Sequence, residues 1–246
     1  ETKDVLNALE VAKQKRTGLL GLVNVIGSTL TTESEMYLPL ACGYEISVPA
    51  TKTFTNQAIA FLYLALHMGN VPSTSLAKLP DLMEQTLDIG ESQISLIEQF
   101  LRDSSDMYCL GYGSTYPIAL EGALKLKEVT YIHCEGMLST EFKHGPLSAV
   151  YEGYPIIFIA GPEDIPLIVS GINEVTCRGA RAVVIGEKSP QLESNATNMI
   201  PVPPSGPLFL PITATLPLQL LSYRLSVARG YDPDFPRNLS KTLTVD

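Results

Sequence analysis

Apolar residues follow two rhythms along this chain. In the first they return every three or four positions, as Val5, Leu6, Leu9, Val11 and Ala12 do. That spacing predicts a helix from Thr2 to Arg16, with lysines gathered near its end. In the second they run on with little interruption between turn-forming residues. Gly18–Gly27 is such a run and predicts a strand buried on both faces. Further strands are predicted at Tyr37–Cys42, Met107–Gly113, Tyr154–Ala160, Ala182–Ile185 and Met199–Val202. Helices are predicted at Ala50–Asn70, where Thr51 or Thr53 would cap the start, and at Leu79–Leu101, Tyr116–Tyr131, Glu163–Arg178 and Leu210–Arg229. Apolar strands alternating with helices indicate an α/β fold, with parallel sheets carrying helices on both faces. Such sheets hold ligands at the C-terminal ends of their strands.

The same pattern suggests two units. The expected division is 1–75 for the C-terminal part of a first unit, 76–101 for a linker helix, 102–234 for a second unit, and 235–246 for a tail of prolines and polar residues. The first unit opens on a helix without the strand that should precede it, so it reads as incomplete.

Composition narrows the function. Over 246 residues, 45% are hydrophobic and 17% charged, which excludes a disordered chain. No apolar run reaches the roughly 18 residues needed to span a bilayer, and no basic segment leads into an apolar one at the start. A cytoplasmic protein with no membrane partner is expected. The net charge of −9 argues against a nucleic-acid partner but leaves room for one phosphate held by a helix N-terminus and a few lysines. Cys42, Cys109, Cys134 and Cys177 form no C-x-x-C pair and, with three histidines, give no zinc pattern. They are expected as buried free thiols, with no metal and no cofactor. Asn195-Ala-Thr197 and Asn238-Leu-Ser240 match the glycosylation pattern but lack a secretory signal to go with it.

Candidate chemistry is densest in Tyr116–Glu128. On a helix, Glu121, Lys125 and Glu128 stand at i, i+4 and i+7 and share one face. A solvated salt-bridge face has the same spacing. What sets this one apart is the Gly111-Tyr-Gly-Ser114-Thr115 turn before it, at a strand-to-helix junction where parallel sheets place ligands. His144, before Gly145-Pro146, carries an imidazole, a group able both to give and to take a proton, or could simply be structural. The Glu45–Thr55 stretch could present backbone N–H groups to a sugar or phosphate, or could be a capping loop. Lys241, in the tail, could be solvated or could attack a carbonyl as an amine.

These segments together resemble the isomerase module of the glutamine–fructose-6-phosphate aminotransferase family. The resemblance is carried by Glu1-Thr2, Glu45–Lys52, Tyr116–His133, Glu141–Leu147, Leu216–Leu221 and Pro236–Val245, in family order. Its most specific pieces are Glu-Gly-Ala-Leu-Lys-Leu-Lys-Glu128 and Pro-Arg-Asn-Leu-Ser-Lys241.

The resemblance implies two sugar isomerase (SIS) domains in a homodimer or larger oligomer, acting on fructose-6-phosphate. It assigns Glu128 as the base moving a proton between C1 and C2, with Lys125 assisting beside it. His144 becomes the ring-opening group, supplied across a subunit interface, and Lys241 the Schiff-base lysine. Thr2 would contact phosphate, and Val48 and Ala50 the sugar; Ser114 and Thr115, which replace other polar residues common after the family's glycine turn, are candidate substrate contacts. The family's Ser-Gln-Ser-Gly segment before the Glu-Thr pair is absent, and Ala50 stands where the family has serine. No glutaminase domain is present in this sequence. A stand-alone glucosamine-6-phosphate deaminase/isomerase and a non-catalytic SIS-type sensor are the alternatives. A sensor has no need of Lys125, Glu128, His144 and Lys241 together.

Overall fold

The computed structural model describes residues 2–241. Glu1 and residues 242–245, which carry the two ends of the resemblance, lie outside them. The chain divides into two compact units: the described residues up to Thr74 together with those from Asp234 on, and Ser75–Pro233.

The first unit contains α1 (Lys3–Gln14), β1 (Leu20–Val23), α2 (Thr29–Glu33), β2 (Met36–Pro39) and α3 (Lys52–Met68). β1 and β2 pair in parallel, with Leu20 opposite Met36 and Val23 opposite Pro39. The strand expected at Gly18–Gly27 is shorter and is not buried on both faces. Leu20 is exposed, and Val25 and Ile26 lie beyond the strand, in solvent. An uninterrupted apolar run does not by itself supply a second covering layer. Polar side chains order much of this unit. The Asn24 amide donates to the Gly43 carbonyl at 2.7 Å and accepts from the Cys42 N–H at 3.1 Å, while Asn56 donates to the Leu40 carbonyl at 2.8 Å.

The second unit contains α4 (Leu79–Leu101), β3 (Asp106–Gly111), α5 (Tyr116–Thr130), β4 (His133–Leu138), β5 (Pro155–Ala160), α6 (Ile165–Thr176), β6 (Arg181–Glu187), α7 (Pro190–Asn195), β7 (Asn198–Val202) and α8 (Gly206–Ala228). Its five strands pair in parallel in the order β4-β3-β5-β6-β7. The order in which strands are added to the sheet therefore reverses between β3 and β5. Alternate residues of the central strands feed two separate cores. Ile157, Ile159, Val183 and Ile185 pack with α4, α5 and α8, while Ile156, Phe158, Ala182 and Val184 pack with α6 and α7. Burial on both faces is why these strands read as continuous apolar runs.

Two expectations change here. The segment 76–101 is more than a spacer, since Ile94, Ile97 and Leu101 are fully buried in the core beneath α8. β4 was not expected at all. Its sequence, His-Cys-Glu-Gly-Met-Leu, has no β-branched residue, and it becomes a strand through its ladder with β3. Gly136 lets α5 lie against it, because a Cβ there would stand 2.7 Å from the Leu120 Cα. Cys109 and Cys134 are buried free thiols with sulfurs 3.6 Å apart, whereas Cys42 is half-buried and Cys177 exposed. Among the described residues no helix is long and apolar enough to cross a membrane, and no cluster of His, Cys, Asp and Glu could hold a metal ion.

Candidate active site

α5 begins where β3 ends. Gly111 makes the junction possible, because a Cβ there would lie 2.4 Å from the Thr115 carbonyl oxygen. Thr115 is fully buried. Its hydroxyl accepts the Tyr112 N–H at 3.1 Å and has the Tyr112 and Ile159 carbonyls within 2.9 Å as acceptors. That hydroxyl staples the turn to the end of β5, so its hydrogen bonds are spent on the backbone. Ser114 is exposed.

Glu121, Lys125 and Glu128 share one face of α5, as their spacing requires. Lys125 Nζ lies 2.5 Å from Glu128 Oε2 and 3.5 Å from Glu121 Oε1. The three side chains are only 5%, 12% and 18% exposed for Lys125, Glu121 and Glu128. Glu121 Oε1 is buried without a hydrogen-bond partner among the described residues. Burial pushes the Glu121 carboxyl above its ordinary value; Lys125 pulls the other way, and Glu128 adds to the rise. A surface salt-bridge face would leave all three in water, so burial decides against that reading.

Glu128 also breaks a local rule. It sits in the last turn of α5, which ends at Thr130 with Tyr131 left-handed at φ 62°. A carboxylate is disfavoured there by the helix dipole. Two acids placed around one lysine, one of them at the wrong end of a helix, are poor choices for stability alone.

The turn and the charged cluster do not meet. At about 1.5 Å per helical residue, Ser114 and Glu128 stand about 20 Å apart. One sugar phosphate cannot lie against both. His144 is exposed at the end of a 3-10 turn, Phe142–His144, that is anchored by the buried Phe142, and among the described residues its side chain makes no hydrogen bond or ion pair with Lys125 or Glu128.

The first unit gathers the other residues. The Glu45 carboxylate, which the sequence reading passed over, caps α3. Its Oε1 accepts the N–H groups of Thr51, Lys52 and Thr53 at 3.1, 2.9 and 3.3 Å, and Oε2 accepts the Thr53 hydroxyl at 2.6 Å. Thr51 holds the N-cap position without a side-chain cap bond, so the expected threonine cap is replaced by an acid six residues upstream. Burial alone would push the Glu45 carboxyl up. Hydrogen bonds from Thr53 and the backbone, with Lys241 nearby, more than offset it and hold it below its ordinary value. Lys241 Nζ donates to the Glu45 carbonyl and, at 2.7 Å, to the Ser47 carbonyl, with Glu45 Oε2 3.9 Å away. The tail lysine is thus seated on the loop that carries the half-buried Val48 and Ala50. Thr2 is exposed at the N-cap of α1.

A parallel sheet wound with helices on both faces, with a buried acid–lysine–acid cluster on its first crossover helix, defines a doubly wound α/β domain. Residues 100–229 match the SIS domain family, and the chain belongs to it. It is similar to glutamine–fructose-6-phosphate aminotransferases (isomerizing). It is 42% identical to that of Methanothermobacter thermautotrophicus and 39% to that of Thermococcus kodakarensis, covering 100% of this chain and 42% of each relative. The chain therefore spans less than half the length of these relatives. The C-terminal domain of glucosamine-fructose-6-phosphate aminotransferase from Francisella tularensis superposes with a TM-score of 0.85 at 32% identity, over 96% of this chain and 71% of that one.

Proposed function

We propose that this chain is the sugar-phosphate isomerase part of an enzyme that converts fructose-6-phosphate to glucosamine-6-phosphate. The observation that carries this reading is the buried contact of Lys125 Nζ with Glu128 Oε2 at 2.5 Å, with Glu121 behind it. Isomerisation of an open-chain ketose needs one base that reaches both carbons. Glu128 takes a proton from C1, the C–H electron pair becomes the C1–C2 double bond, and the C2 carbonyl π pair moves to O2, which takes up a proton to complete the enediol. Glu128 then returns its proton to C2 as O1 gives up its hydroxyl proton and becomes the aldehyde oxygen, so that one proton has passed from C1 to C2 and one from O1 to O2 overall. Lys125 steadies the oxygens as charge shifts between them. His144, exposed on this chain, opens the sugar ring at the site of a neighbouring subunit in a homodimer. Lys241 leaves its seat on the Glu45 and Ser47 carbonyls, loses its proton and attacks the C2 carbonyl of the ketose as an amine; the carbonyl oxygen departs as water and a Schiff base remains. Thr2, Val48 and Ala50 line the substrate's path in the first unit.

The test is Glu128→Gln in the full-length protein, followed by exchange of the C1/C2 proton with solvent. Exchange is expected to fall by about 10²- to 10⁴-fold, the usual worth of a positioned acid–base group. Exchange at the parent rate removes the proposal.

A further inference from the structure

The assignment of Glu128 as base leaves Glu121 without a function. It is 12% exposed, and its Oε1 has no hydrogen bond yet lies 3.5 Å from the Lys125 ammonium nitrogen. A buried carboxylate oxygen whose ammonium partner stands too far off for a good hydrogen bond is costly to maintain. As an ordinary salt-bridge partner Glu121 is superfluous, because Lys125 already has Glu128 at 2.5 Å.

The cluster is better matched to a changing charge than to a fixed one. With both acids ionised, two carboxylates share one ammonium. When Glu128 accepts a proton it becomes neutral, and Lys125 loses the counter-charge it was touching. In a partly desolvated site that loss would oppose the proton transfer itself. A second carboxylate beyond the first contact removes the penalty, because the ammonium can close onto it by a shift of less than a bond length.

We infer that Glu121 is a positioning residue of the isomerisation. It receives the Lys125 ammonium while Glu128 carries the substrate proton and hands it back when Glu128 ionises. No bond to carbon forms or breaks at Glu121. One proton moves between substrate and Glu128, while the lysine keeps its own and changes partner. The inference rests on Glu128 being the base. It adds that the unsatisfied oxygen of Glu121 is the second seat of a lysine that must move during turnover.

The experiment compares Glu121→Gln, Glu121→Asp and Glu121→Met in the full-length protein, using fructose-6-phosphate and solvent exchange of the C1/C2 proton. Glutamine keeps the shape and removes the charge. It is expected to lower kcat by about 10- to 100-fold while KM stays within about twofold, the mark of an interaction made during the chemical step. Exchange falls in step, and the melting temperature holds or rises, since a buried charge has gone. Aspartate recovers most of the lost kcat. In a Lys125→Met background, Glu121→Gln adds no further loss, because no ammonium remains to be received. The inference is overturned by a glutamine variant with parental kcat, by a change confined to KM, by an equal loss in the Lys125→Met background, or by no recovery with aspartate. Loss of fold in both the glutamine and methionine variants assigns Glu121 to stability and overturns it as well. Glu128→Gln separates the two levels. If exchange survives that substitution, the reading of the site fails. If exchange dies there and is untouched in Glu121→Gln, only the role of Glu121 fails.

Discussion

The two units are held together in different ways. In the second, the middle of the sheet is sealed by apolar side chains on both faces, and Ile156, Ile157, Phe158 and Ile159 are fully buried in succession. In the first, α3 runs for 17 residues with only Thr55 and Leu66 buried, while Phe61, Tyr63 and Met68 are exposed. Its loops are pinned by Asn24, Asn56 and Glu45. The unit with the large core supplies the rigid helix that holds Glu121, Lys125 and Glu128. The unit ordered by polar contacts supplies the loop and the tail lysine, the pieces whose proposed work requires movement. Core burial resists local opening, whereas exposed elements ordered by a few hydrogen bonds open readily.

The contrast can be broken most forcefully in the second unit. Phe158→Ala removes a fully buried ring that packs near Gly171 between β5 and α6. It is expected to cost about 3–5 kcal/mol, the range for emptying an aromatic core position, measured as a lower midpoint of urea unfolding. A cost near zero would mean that this sheet is not the stable part of the molecule.

A smaller effect is expected at Glu45. Glu45→Ala leaves three N–H groups at the start of α3 without their acceptor and should cost about 1–2 kcal/mol, the upper range for a lost helix cap. Amide hydrogen exchange at Thr51, Lys52 and Thr53 should accelerate while β5 is unaffected. The pH dependence sharpens the contrast, since the two buried acids carry opposite signs. Glu45 is held below its ordinary value of 4.5, so its contribution is present above that pH and lost as the pH falls through its folded value. Glu121 is pushed above 4.5, so its contribution is fully present below that pH and lost as the pH rises through its folded value. Acidification from neutrality toward pH 4.5 should therefore increase the Glu121 contribution to α5 first, and acidification further below 4.5 should loosen the first turn of α3. Hydrogen exchange followed along that titration checks both signs at once.

The smallest effect is expected at Phe61. Its ring is 61% exposed on α3, and Phe61→Ala in this chain should change stability by no more than about 0.5 kcal/mol. A large loss would show that the exposed face of α3 is covered in solution.

Local rules carried much of this protein. The rhythm of apolar residues marked the long helices of both units and the central strands of the second, because burial on two faces leaves a continuous apolar run and burial on one leaves a helical period; the short α2 and α7 carry too few turns to show one. The i, i+4, i+7 spacing put Glu121, Lys125 and Glu128 on one face, since that follows from helix geometry alone. Other features depended on contacts distant in sequence. Whether the charged face was wet or buried was decided by how α5 packs, and that separated a solvated salt-bridge stripe from a buried acid–lysine–acid cluster. β4 exists through its pairing with β3, the Thr115 hydroxyl was drawn inward by β5, and Ser114 and Glu128 were set apart by the length of the helix between them. The cap of α3 came from a carboxylate across a loop, and Lys241 found carbonyl acceptors 194 and 196 residues away. Periodicity reports which face of an element is apolar. What covers that face, and which polar groups meet across it, is fixed only when the chain closes on itself.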